Sequence, residues 1–149
     1  MTLENNTIDK FEGEYRFLSN FWLSPVKFDG VEYPSVEHAY QAAKTLNPQI
    51  RQNIQSQPTP NMAKKIGKNV ELREDWESIK EVVMLDLLRQ KFRDQDLVQL
   101  LLDTGDKELI EGNWWMDFYW GVCNGIGKNR LGILLMQVRD EIRQEKSQK

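Results

Sequence analysis

The chain has 149 residues, 40% of them hydrophobic and 29% charged, which is enough for one compact domain and excludes a second. Twenty Lys and Arg against 23 Asp and Glu leave a net charge of -3, the wrong sign for a domain held on nucleic acid by phosphate neutralisation alone. One cysteine, Cys123, and one histidine, His38, exclude an intramolecular disulfide, CxxC metal or redox schemes and a multi-histidine metal site.

No apolar run approaches the roughly 18 residues of a membrane span, and the first residues are polar. The expectation is a cytoplasmic protein with no export signal. Disorder is expected only in the first eight or so residues and in the tail 144–149.

Tyr15-Arg16-Phe17-Leu18 offers a possible first strand. Pro25 to Tyr33 places Val26, Phe28, Val31 and Tyr33 around Asp29-Gly30, a pair that tolerates positive φ and so predicts a β-hairpin. Beyond Pro34, Ser35 can cap a helix in which Val36, Ala39, Tyr40 and Ala43 follow helical spacing, with Asn47-Pro48 as its end. Thr59-Pro60 opens a short helix that Gly67 closes. From Asp75, the stripe Trp76, Ile79, Val83, Leu87 and Leu88 predicts a long helix ending near Arg93-Asp94. A short helix over Leu97–Leu102, a strand at Glu108–Glu111 and a final amphipathic helix through Leu131, Leu134, Leu135, Val138 and Ile142 complete the chain. The fold class is a helix-rich, single-domain α+β protein with a small antiparallel hairpin near its N-terminus.

Three segments can carry chemistry. At 100° per residue, Glu37, Gln41 and Lys44 share a helix face with Tyr40 beside them. A carboxylate near a helix N-terminus is stabilised as an anion and suits a developing cation; the plain alternative is a solvated surface ion pair. The run Asn113 to Gly121 holds five aromatics within seven residues around Asp117, more than one element buries, so rings are expected to border a cleft. Asp117 is then either a base or ribose ligand, or a carboxylate satisfied by backbone amides or by an arginine. Gly121 to Gly132 is a Gly-rich turn into the last helix, where free amides with Lys128 and Arg130 could hold a phosphate; an Asn129-capped helix is the alternative. It lacks the Walker A and dinucleotide spacings. His38 reads as a hydrogen-bonded core residue and Cys123 as a small buried hydrophobe.

Phe17-Leu18-Ser19-Asn20-Phe21, Tyr33 through Lys44 (YPSVEHAYQAAK), Asp117-Phe118-Tyr119-Trp120-Gly121 and Asn129 through Met136 resemble the YbiA-like, or NADAR, family over residues 11–143. The resemblance implies an N-glycosidase, acting either on ribosylamino-pyrimidine intermediates of riboflavin synthesis or on ADP-ribose attached to guanine. It implies Glu37, Lys44 and Asp117 as catalytic positions, and Arg16, Asn20, Phe21, Tyr40, Trp120, Gly121 and Asn129 as the lining of the ligand site.

By chemistry, Glu37 would stabilise an oxocarbenium ion and Lys44 would form a Schiff base or protonate the leaving base. Asp117 would orient ribose hydroxyls or water. The basic residues Lys64, Lys65, Lys68, Lys128 and Arg130 lean the substrate towards ADP-ribose on guanine, free or within a nucleic acid. No cofactor, metal, membrane or stable protein partner is implied. The rival readings are a module that binds ADP-ribose or NAD without cleaving it, and an interaction domain that assembles through its tryptophans.

Overall fold

The computed structural model describes residues 6–148. Its elements in chain order are β1 (Thr7–Ile8), a 3-10 turn (Gly13–Leu18), β2 (Leu23–Phe28), β3 (Val31–Ser35), α1 (Val36–Ala43), α2 (Pro48–Gln55), α3 (Pro60–Gly67), α4 (Trp76–Lys91), α5 (Gln95–Asp103), β4 (Glu108–Leu109), β5 (Gly112–Asn113), β6 (Val122–Cys123) and α6 (Arg130–Ser147). This is the expected helix-rich α+β architecture. Among the described residues no helix is long and apolar enough to cross a membrane. The chain forms two compact units, one from residues 20–91 and one from the segments on either side.

The contiguous unit is built around α1. The hairpin β2–β3 pairs Phe28 with Val31 and Val26 with Tyr33, and Asp29 and Gly30 both take the positive φ that their turn demands. A register shift between Leu23 and Val26 places Pro25 at an irregularity of the strand, where its missing N–H does least harm. All eight residues of α1 are buried. The helix packs against α2, α3, α4 and both hairpin strands, and Ala39, Ala42 and Ala43 leave room for so many neighbours. Asn47-Pro48 is also the start of α2: the Asn47 side chain accepts from Gln49 N and Ile50 N, with Pro48 in the first turn.

In the second unit β1 pairs in parallel with β4, and β5 with β6; α6 packs on β4 and α5. Tyr15–Leu18 is not a strand. It belongs to the 3-10 turn, which buries the adjacent Phe17 and Leu18, a pattern that an alternating strand cannot produce. The expected disorder at both ends is likewise corrected, because Thr7 and Ile8 pair with Glu108 and Leu109 and α6 runs to Ser147. Residues 1–5 and 149 of that expectation lie outside the described residues.

Arg139 is buried on α6. Its Nη1 donates to Thr104 Oγ1 at 2.9 Å, and that hydroxyl donates on to Leu101 O at 2.6 Å. The guanidinium therefore sits against the carbonyl end of α5, where the helix dipole favours a cation.

Candidate active site

Ser35 starts α1 by accepting the amide of His38 at 3.1 Å. Its hydroxyl also lies 2.7 Å from His38 Nδ1, and His38 Nε2 lies 2.9 Å from the Gln57 carbonyl. A carbonyl only accepts, so Nε2 carries the hydrogen and Nδ1 accepts from the serine. Burial pushes the His38 pKa down. The lone histidine is thus a neutral strut of the helix start, as its sequence context predicts.

One residue earlier, Glu37 N donates to Asn20 O at 3.1 Å, strapping the Asn20-Phe21 segment to the first turn of α1. The Glu37 side chain is only 7% exposed, and its Oε2 accepts from Gln41 Nε2 at 2.6 Å. This rules out the solvated surface pair that spacing alone allowed. Lys44 caps the other end of α1, half-buried, with Nζ 5.6 Å from the centre of the Tyr40 ring. Tyr40 in turn meets Trp76 at 5.2 Å. Asn20 is buried; its Nδ2 approaches Met84 Sδ at 3.6 Å, and its Oδ1 has no hydrogen-bond partner among the described residues. Lys64 Nζ stands 5.9 Å over Phe21. The contiguous unit therefore gathers Asn20, Phe21, Glu37, Tyr40 and Lys44 around α1.

The other unit holds Arg16, exposed on the 3-10 turn, together with Asp117, Trp120, Gly121 and Asn129. Asp117 Oδ1 accepts from Tyr119 N at 3.1 Å and Trp120 N at 2.9 Å. Its own amide donates to Asn113 Oδ1 at 3.1 Å, and Asn113 Nδ2 donates to Asp117 O at 3.0 Å. The carboxylate folds the aromatic loop through backbone amides. Trp120 is half-buried and meets Tyr119 edge to face at 4.9 Å, whereas Trp114, Trp115 and Phe118 are exposed. Gly121 lies where a Cβ would collide with Glu111 O and stand 2.7 Å from Asn113 Nδ2.

Asn129 precedes α6 in the left-handed conformation, and its side chain makes no cap bond. Instead its Nδ2 donates to Leu109 O at 2.9 Å and its Oδ1 accepts from Glu111 N at 3.0 Å, tying the segment after β4 to the helix start. The amides of Lys128, Asn129, Arg130 and Leu131 donate to the carbonyls of Phe118, Gly121, Tyr119 and Trp120. The sequence allowed a phosphate cradle here, but four of its donors are already committed to backbone.

For two residues the sequence shows the position but not the role. Gln41 shares the predicted face, yet nothing in its spacing shows that it donates to Glu37. Gly67, read only as a helix stop, packs on Gln41.

Comparison with known proteins shows the family. The NADAR domain family profile matches residues 8–143. The chain is 43% identical over 137 residues to N-glycosidase YbiA of Shigella flexneri serotype 5b (strain 8401), covering 89% of this chain and 85% of that protein. It is 34% identical over 132 residues to a Vibrio vulnificus (strain YJ016) protein named a riboflavin biosynthesis protein, covering 86% of this chain and 36% of that one. Among solved structures, an NMR structure of E. coli YbiA superposes with a TM-score of 0.84 at 40% identity, over 97% of this chain and 89% of that one. The chain belongs to the NADAR domain family and is an enzyme of the N-glycosidase kind.

Proposed function

We propose that the chain hydrolyses the bond between C1′ of a phosphorylated ribose and the exocyclic nitrogen of an amino-pyrimidine. The observation that carries this reading is the buried Glu37 carboxylate, held by Gln41 Nε2, on the helix that also carries Lys44. As the C1′–N bond lengthens, positive charge gathers at C1′ and the ring oxygen. A desolvated, pre-oriented carboxylate stabilises that charge more than it stabilises the ground state. The departing nitrogen takes a proton and water adds to C1′, giving the free sugar and the free amine.

Lys44 supplies that proton, or attacks C1′ of the ring-opened sugar. In the second route the amine is expelled as a C1′=N imine forms, and water then hydrolyses the imine and releases the lysine. Asp117 contributes by holding the loop that presents Trp120. Asn20, Phe21 and Tyr40 serve as binding residues in the unit of residues 20–91; in the other unit Trp120 and Gly121 take that role, with Arg16 exposed and Asn129 a brace.

The choice of substrate rests on the Vibrio relative's name and on the committed amides of residues 128–131, which leave the basic side chains alone as the argument for a diphosphate. A second reading, release of ADP-ribose from guanine, is favoured by Lys64 beside Phe21, with Lys65 on the same short helix and Lys68 just past its end.

Parallel hydrolysis assays on a ribosylamino-pyrimidine phosphate and on ADP-ribosylated guanosine test the choice. Faster base release from the first supports the proposal, and faster release of ADP-ribose from the second replaces it. Tight binding of either with no product would leave the non-catalytic module.

A further inference from the structure

We propose that Gln41 is the positioning residue of this active site, orienting the Glu37 carboxylate from one turn further along α1, and that Gly67 is glycine in order to admit it. The inference rests on the reading of Glu37 as the charge-stabilising carboxylate.

Gln41 is 4% exposed. Its Nε2 donates to Glu37 Oε2 at 2.6 Å. Its Oε1 is buried and has no hydrogen-bond partner among the described residues. That oxygen is turned onto α3, where a Cβ on Gly67 would collide with it and stand 2.7 Å from Gln41 Cδ and 2.9 Å from Gln41 Cβ. The amide therefore occupies the space that a side chain at 67 would fill.

Two local choices here work against stability. A buried carbonyl left without a donor costs free energy, and glycine within a helix costs free energy relative to alanine. A leucine or methionine at 41 facing an alanine at 67 would avoid both costs. What the glutamine adds, and those residues would not, is one N–H aimed at a carboxylate that burial has deprived of water. Such a bond favours the ionised form and removes rotational freedom from the side chain. Positioning by a neutral amide also leaves the full negative charge available to the substrate, which a lysine or arginine at 41 would neutralise.

Gln41→Met and Gly67→Ala test the assignment, the first removing the donor and the second pushing the amide aside. Carboxyl-carbon NMR follows the Glu37 titration in each folded variant, independently of turnover. The expected result is a midpoint about one pH unit higher than in the wild type, with kcat lowered about tenfold or more and KM held within about twofold. A merely structural role would move melting temperature without moving that midpoint. A midpoint unchanged in both variants, or kcat unchanged in both, overturns the proposal. Glu37→Gln is assayed alongside. Full turnover in that variant would instead overturn the reading of Glu37 itself, whatever the titration of the Gln41 variant shows.

Discussion

His38 Nε2 donates to the main-chain oxygen of Gln57 at 2.9 Å while Nδ1 takes the Ser35 hydroxyl at 2.7 Å, so a proton added to Nδ1 displaces the one donated by Ser35, and that hydroxyl must turn away. Its folded pKa lies below the ordinary 6.5 because burial disfavours the cation. Below pH 6.5 the unfolded chain therefore binds a proton that the folded chain refuses. The stability contribution is complete above that pH and declines as pH falls below it. Urea denaturation at pH 7.5 and 5.5 should show a larger loss of stability in the wild type than in His38→Gln. Equal pH slopes for the two proteins would contradict this.

Lys91 ends α4 at 1% exposure, and burial pulls its pKa down to about 7. Between pH 7 and its ordinary 10.5 the unfolded state carries the extra proton, so this group makes stability rise with pH. Lys91→Met should flatten that rise between pH 7.5 and 9.5, as read by chemical denaturation at each pH. An identical rise in the variant would show that the ammonium is accommodated without penalty.

Glu37→Gln keeps the shape of the side chain and removes its charge. Charge that matters chiefly in the transition state is lost from kcat, so turnover should fall by about two to three orders of magnitude with KM nearly unchanged. Steady-state kinetics on the better substrate decide the point.

If Lys44 attacks C1′, borohydride added during turnover reduces the imine to a stable amine. Mass spectrometry should then find the sugar on the Lys44 peptide, and none in Lys44→Met. A wild-type peptide of unchanged mass assigns Lys44 the proton-donor role alone.

Asp117→Asn retains an oxygen able to accept from Tyr119 N and Trp120 N, whereas Asp117→Ala does not. A carboxylate whose work is to shape the loop predicts activity within about threefold of wild type for Asn and a loss of tenfold or more, through KM, for Ala. Near-complete inactivity of the Asn variant at normal KM would instead make Asp117 a participant in proton transfer.

Much of the contiguous unit could be read from the chain because its signals are local. Asp29-Gly30 specifies a turn, Ser35 and Thr59 are caps, and the stripe from Trp76 to Leu88 has helical period over several turns. Asn47-Pro48 was legible only in half, since the same dipeptide ends one helix and begins the next. The pairings of Thr7 with Glu108 and of Gly112 with Val122 involve strands of two residues, too short to have any periodicity, and are set by partners distant in sequence. The same division holds at the site. Helical spacing placed Glu37, Gln41 and Lys44 on one face, while the burial of Glu37 and the fit of Gln41 onto Gly67 depend on packing among α1, α3 and their neighbours.

The parallel pairing of β1 with β4 sets an order on assembly during synthesis. Every partner within residues 20–91 is available once Lys91 has cleared the ribosome, so the segment bearing Glu37 and Lys44 can form its contacts early. Thr7 and Ile8 were made before any of them, yet they must wait about a hundred residues for Glu108 and Leu109, a loop closure whose entropy cost slows pairing. Thr7 and Ile8 are thus among the last parts of this enzyme to find their place.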